Sequence, residues 1–136
     1  MSGRLLLNLF VPAVLALAAC GEGEPICQNT VIREAVSPGG DLKAVLFHRA
    51  CGDAISAASQ VSVLATNQTE TGKGNAFIVD AASGAAPIAA WGGPDVLMEW
   101  SAPLALTLSY HDRSRIIAYE PMVRGVTISH RSTDDT

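Results

Sequence analysis

Three cysteines and three histidines offer most of the chemistry in this 136-residue chain: Cys20, Cys27, Cys51, His48, His111 and His130. His111-Asp112, with Ser114 two residues on, supplies the residue types of a nucleophile, a base and an orienting acid. A catalytic serine also needs a local frame that presents its hydroxyl, such as the GxSxG elbow, and no such frame occurs here. Neighbours in one turn rarely point at a common atom, so solvated turn residues are the plainer reading. A structural zinc site takes four ligands. Cys27, Cys51 and His48 would supply three, and no CxxC spacing is present. No catalytic residue, metal or other cofactor is expected, and the chain is read as no enzyme.

Gly72-Lys73-Gly74 is a fragment of a phosphate loop without the helix that must follow it, and reads as a hairpin tip. Glu99 is a candidate groove-lining acid, although a lone Glu on a strand is ordinarily solvent-facing. Trp100 shares a strand face with Val96 and Met98 and reads as core. Trp91 sits in a Gly- and Pro-rich loop and reads as an exposed recognition residue. With Lys73 and Asn75 of the polar loop 66–75, it makes the expected binding set. The formal net charge is −4 and the basic residues are scattered, so nucleic acid is not an expected partner.

The elements that must position these residues are strands. Apolar runs fall at 30–36, 42–48, 60–65, 76–80, 95–100, 104–110, 115–119 and 123–130. The clearest is Leu104, Leu106, Leu108 and Tyr110 alternating with Ala105, Thr107 and Ser109, a half-buried strand with one dry face. Ala44-Val45-Leu46-Phe47 lacks alternation, which predicts a central strand covered on both faces. Ser37-Pro38-Gly39-Gly40-Asp41 is a turn. No segment from Cys20 onward keeps a helical period over 11 residues. These features predict an all-β fold: a single antiparallel β-sandwich or barrel-like meander of about eight short strands, after an N-terminal signal helix. The chain is too short for a closed propeller.

Ahead of the strands, Arg4 precedes the apolar stretch Leu5–Ala19, which closes on Leu17-Ala18-Ala19-Cys20. As a helix the stretch would reach roughly 22 Å, short of the roughly 30 Å hydrocarbon core. A positive start, a short apolar middle and small residues at the end describe a secretory signal rather than a span. The four residues with the apolar run before them resemble the lipobox of bacterial lipoproteins. That resemblance implies a signal peptide over 1–19, cleavage before Cys20, and acylation (palmitate among the acyl chains) of Cys20. A short tether over 20–25 then follows, and the strand pattern gives an all-β domain over 26–130 ahead of a polar tail over 131–136. Gly21 follows the Cys, with no Asp there, and by resemblance to Gram-negative sorting signals this implies the outer membrane, facing the periplasm. Five tether residues span under about 18 Å, so the domain would lie close to its bilayer.

With Cys20 lipidated, Cys27 and Cys51 remain. In an oxidising envelope the expectation for two cysteines is one disulfide, worth about 3 kcal/mol on the chain-entropy account. The run Ser37–Phe47 with Arg49, Cys51-Gly52, Gln60–Leu64, Asn75–Asp80 and Trp100 is also similar to a group of small uncharacterised bacterial proteins. Its members often carry the Cys pair, and the resemblance brings no catalytic residues with it.

Together these features predict a membrane-anchored envelope lipoprotein acting as a non-enzymatic binding or inhibitor-type module. Its expected partners are the bilayer, through Cys20, and an envelope protein or glycan. The alternatives are a small envelope hydrolase using His48 or His111, and a structural envelope lipoprotein.

Overall fold

A computed structural model describes residues 26–52 and 57–134. The expected signal helix, Cys20 and the tether up to residue 25 lie outside the described residues. Within them the chain is all-β, with nine strands. These are β1 (Cys27–Val36), β2 (Leu42–Cys51), β3 (Ala58–Ala65), β4 (Phe77–Asp80), β5 (Val96–Ala102), β6 (Ala105–His111), β7 (Arg115–Tyr119), β8 (Met122–Val123) and β9 (Val126–Thr133).

The strands form two facing sheets, ordered β1-β2-β3-β4-β7 and β5-β6-β9-β8. The predicted sandwich of about eight short strands is therefore present, with the two-residue β8 as the ninth. One pairing departs from the antiparallel reading: β6 pairs with β9 in parallel. A parallel pair needs a long crossover. Here the turn at 112–114 sends the chain into the other sheet as β7, and it returns through β8 to β9. The strand β9 also continues to Thr133, through the first half of the stretch read as a polar tail.

Alternation explains the core. Leu106 and Leu108 of β6, Val126 and Ile128 of β9, and Val96 of β5 face Leu46 of β2, Val61 and Val63 of β3, and Phe77 and Val79 of β4. All of these are buried. The uninterrupted run of β2 is buried on both faces, as expected of a strand between two others. Its other face, with Val45, Phe47 and Leu64, forms a second cluster. Residues 66–75 cross this outer face. Asn29 Nδ2 donates to the carbonyl of Gly72 at 2.7 Å, Arg49 Nη1 donates to that of Thr71, and Gly74 N donates to Gln60 Oε1.

The edge strands β1 and β5 meet through side chains. Arg33 Nη2 donates to Asp95 Oδ1 at 2.7 Å and to Val96 O at 3.0 Å. Trp100 Nε1 donates to Ala35 O at 2.8 Å, and a bulge lies between Val31 and Arg33 of β1. Charge and a bulge at a sheet edge discourage edge-to-edge pairing with another chain. On the opposite side the turn of β8 into β9 uses Arg124 (φ 52°) and Gly125 (φ 77°). Two successive positive φ values give the primed turn whose twist suits a two-residue hairpin.

Candidate functional site

The outer face of the second sheet carries a cleft of about 290 Å³. Its floor follows from the strand register. Leu97 of β5 lies opposite Ser109 of β6, and Ser109 lies beside Arg131 of β9. The next row holds His111 beside Thr133, with Asp95 just ahead of β5. Neighbouring strands are about 4.8 Å apart, so each row spans roughly 10 Å. Ser109 and Leu97 line the cleft, and Arg131 borders it through its bond to Ser109. Pro87, Ile88 and Ala89 close one side. Leu97 and Ile88 are 52% and 60% exposed, so the apolar wall is open to solvent.

The loop beside the cleft is held in place. Trp91 Nε1 donates to Ser59 Oγ at 3.0 Å, and the same hydroxyl donates to the carbonyl of Pro94. A Cβ at Gly93 would stand 2.5 Å from Ser59 Oγ and 3.0 Å from the carbonyl carbon of Ala58, so a side chain there would force the loop off the sheet. Ala89 N donates to Gly93 O at 2.7 Å, which closes the turn that carries Trp91. At the start of the loop Asp80 accepts from Ala82 N and from the guanidinium of Arg115. The charge-assisted bond to Arg115 holds the Asp80 carboxyl below the ordinary aspartate value of 3.8, against an opposing push from burial.

The polar side of the cleft is built on β6 and β9. Ser109 is buried, and its Oγ accepts from Arg131 Nε at 3.0 Å. Thr133 Oγ1 donates to Tyr110 O. His111 Nδ1 accepts from Arg113 N at 3.1 Å and lies 3.3 Å from Asp112 Oδ1. Accepting at Nδ1 places the neutral ring's proton on Nε2, so the Asp112 contact is an ion pair only when the ring is protonated.

The residues singled out in the sequence separate in space. Trp91 is half-buried and packs against the core, which corrects the reading of it as exposed. Asn75 Oδ1 accepts from Val63 N at 2.8 Å while its Nδ2 donates to Val63 O at 2.9 Å. Its side chain thus stands in for a strand partner. Lys73 is exposed, on the loop over the first sheet. These three do not converge on one surface. Trp100 is half-buried against the core as expected, and Glu99 is exposed on the outer face of β5. His48 pairs in register with Thr30, away from the cleft. His130 sits edge-on to Tyr119, ring centroids 4.5 Å apart. Ser114 Oγ is buried with no hydrogen-bond partner, so the paper set of Ser114, His111 and Asp112 is not joined. Among the described residues no group of three or more His, Cys, Asp or Glu could hold a metal ion.

Cys27 and Cys51 are bonded as a disulfide, directly opposite each other on β1 and β2. The bridge closes the open end of that hairpin. Cys20 lies outside the described residues.

Sequence reasoning passed over Ser109, Arg131, Leu97, Ile88 and Asp95. The alternation in β6 does mark Ser109 as facing away from the core. Comparison of the chain with family models, with curated proteins and with solved structures found no match.

Proposed function

We propose that this protein is an envelope-anchored binding module, tethered through an acylated Cys20, that receives a small ligand or a partner's protruding group in the cleft at Ser109. The observation that supports the reading is the dent itself: a small buried serine beside Leu97, with His111 and Thr133 in the next row and the pinned loop along one side. Apolar walls with a few polar groups are the usual make-up of a ligand pocket, and this volume is at the lower end of the roughly 300–1,000 Å³ range. The occupant is therefore small, or is one side chain or terminus of something larger. The short tether and the resemblance at Leu17–Cys20 support a position beside a bilayer.

The test compares the full-length protein with its Ser109→Leu variant, which fills the dent on a face outside the core. Each is presented to a solubilised envelope extract. One saturable partner retained by the wild type and lost by the variant supports the module. Equal retention by both removes the cleft from the reading. Incorporation of labelled palmitate into the wild type, and not into Cys20→Ala, tests the anchor separately.

A second reading rests on His111, which lines the cleft with Asp112 at 3.3 Å. A small hydrolase using His111 as general base requires turnover that disappears in a folded His111→Ala variant.

A further inference from the structure

We infer that the cleft recognises a carboxylate carried on a short apolar group, with Arg131 and Ser109 as the carboxylate receptor; this rests on the binding-module reading above. Leu97, Ser109 and Arg131 form one row across β5, β6 and β9 on the outer face. The apolar end of the row joins Ile88 and Pro87. Its other end is a guanidinium. A ligand lying along the row therefore meets apolar surface at one end and positive charge at the other, roughly 10 Å away.

The hydrogen-bond inventory gives the polar end its preference. A guanidinium has five N–H donors in a planar fork. Arg131 commits Nε to Ser109 Oγ at 3.0 Å, and no described carboxylate pairs with it. The exposed side chain is thus held at its Nε while its terminal N–H groups remain for a ligand. Ser109 accepts that bond, so its own hydroxyl hydrogen is a further donor at the floor of the dent. Ser109 lines the cleft and Arg131 stands at its rim, bonded to that serine. Donors from two neighbouring side chains suit a planar oxyanion, and paired N–H donors of one arginine match the two oxygens of a carboxylate. The acid nearest the other end of the cleft is Asp95. Its Oδ1 accepts from Arg33 at 2.7 Å and from Val96 N at 2.9 Å, so its charge is opposed by that guanidinium. The chemistry fits two sources, the C-terminus of a peptide and a free short-chain fatty acid.

The experiment is calorimetric titration of the full-length protein with N-acetyl-leucine and with its amide, which differ only in the carboxylate. The acid is expected to bind at least about tenfold more tightly than the amide. Arg131→Gln should abolish that preference, and Ser109→Leu should weaken both probes. Thermal melts of the two variants confirm that they are folded. Hexanoate forms the second arm: tighter binding of N-acetyl-leucine supports a peptide terminus, and tighter binding of hexanoate supports a fatty acid. Equal affinity for acid and amide overturns the carboxylate assignment, as does an unchanged preference in Arg131→Gln. If Ser109→Leu still loses both probes in that case, the cleft survives as a binding site with different chemistry. If neither acid binds the wild type, this inference is wrong, while the partner-retention test above still decides the module.

Discussion

Trp91 donates its indole N–H to Ser59 Oγ at 3.0 Å, across the gap between the 81–94 loop and the inner face of β3. The same hydroxyl donates to Pro94 O, so one buried serine ties two points of the loop to the sheet. Ser59→Ala would leave an indole N–H and a carbonyl without their partner, at a cost of about 1–3 kcal/mol. Trp91→Phe keeps much of the packing and removes only the donor, so it should cost about 0.5–1.5 kcal/mol. Urea unfolding of the two variants checks the order. A Trp91→Phe loss as large as that of Ser59→Ala would mean that packing, not the relay, holds the loop.

Asn75 and Lys73 lie on one loop, but Asn75 is bonded to the Val63 backbone while Lys73 is exposed. Asn75→Ala removes both bonds to the Val63 backbone and should destabilise by about 1–3 kcal/mol. Lys73→Ala alters an exposed side chain and should stay within about 0.5 kcal/mol. Neither should change ligand affinity at the cleft. Denaturation midpoints measured beside titrations of both variants would show whether stability and binding are divided this way.

The disulfide gives a third expectation. Cys27 and Cys51 are 24 residues apart in sequence. Opening the bridge releases that loop in the unfolded chain, which corresponds to about 3 kcal/mol. The paired Cys27→Ser/Cys51→Ser variant should unfold at lower urea. Native mass after alkylation, with and without reductant, should differ by two blocked thiols. The cleft, built on β5, β6 and β9, should bind its ligand with unchanged affinity below the unfolding transition.

Much of this architecture was legible because it is local. The turn at Ser37–Asp41, the unbroken apolar run of β2, the alternation of β6 and the Cys pair each depend on residues near one another in sequence. The parallel pairing of β6 with β9 does not. Ser109 and Arg131 lie 22 residues apart and become neighbours only because β7 passes through the opposite sheet. A pattern of alternating side chains states which face a residue takes, and says nothing about which strand comes beside it. The cleft is created by that pairing, so its residues read in sequence as ordinary surface. Trp91 failed for a related reason: a Gly- and Pro-rich setting marks an irregular backbone, and the buried Ser59 hydroxyl that draws the indole inward is 32 residues away.

Asp80 and Arg115 make the last expectation, a pH dependence. They face each other across β4 and β7, in register, with the guanidinium bonded to the carboxylate. The arginine side chain is 63% exposed and that of Asp80 15%, so solvent weakens the pair. The Asp80 carboxyl is held below the ordinary value of 3.8 in the folded protein, first by the hydrogen bond from Arg115. A depressed folded value means that the unfolded chain takes up the proton first as pH falls. The pair's contribution is therefore fully present above the unfolded value and is lost as pH falls through the lower, folded one. Asp80→Asn should be less stable than the wild type at neutral pH, and the gap should narrow only in the acid range below about pH 4. Arg115→Gln should flatten the acid limb in the same way by removing the main cause of the shift. Melting temperatures of the three proteins from pH 7 downward provide the check. A gap that stays constant through the acid range would mean that Asp80 acts through its bond to Ala82 N and the shape of the loop, rather than through its charge.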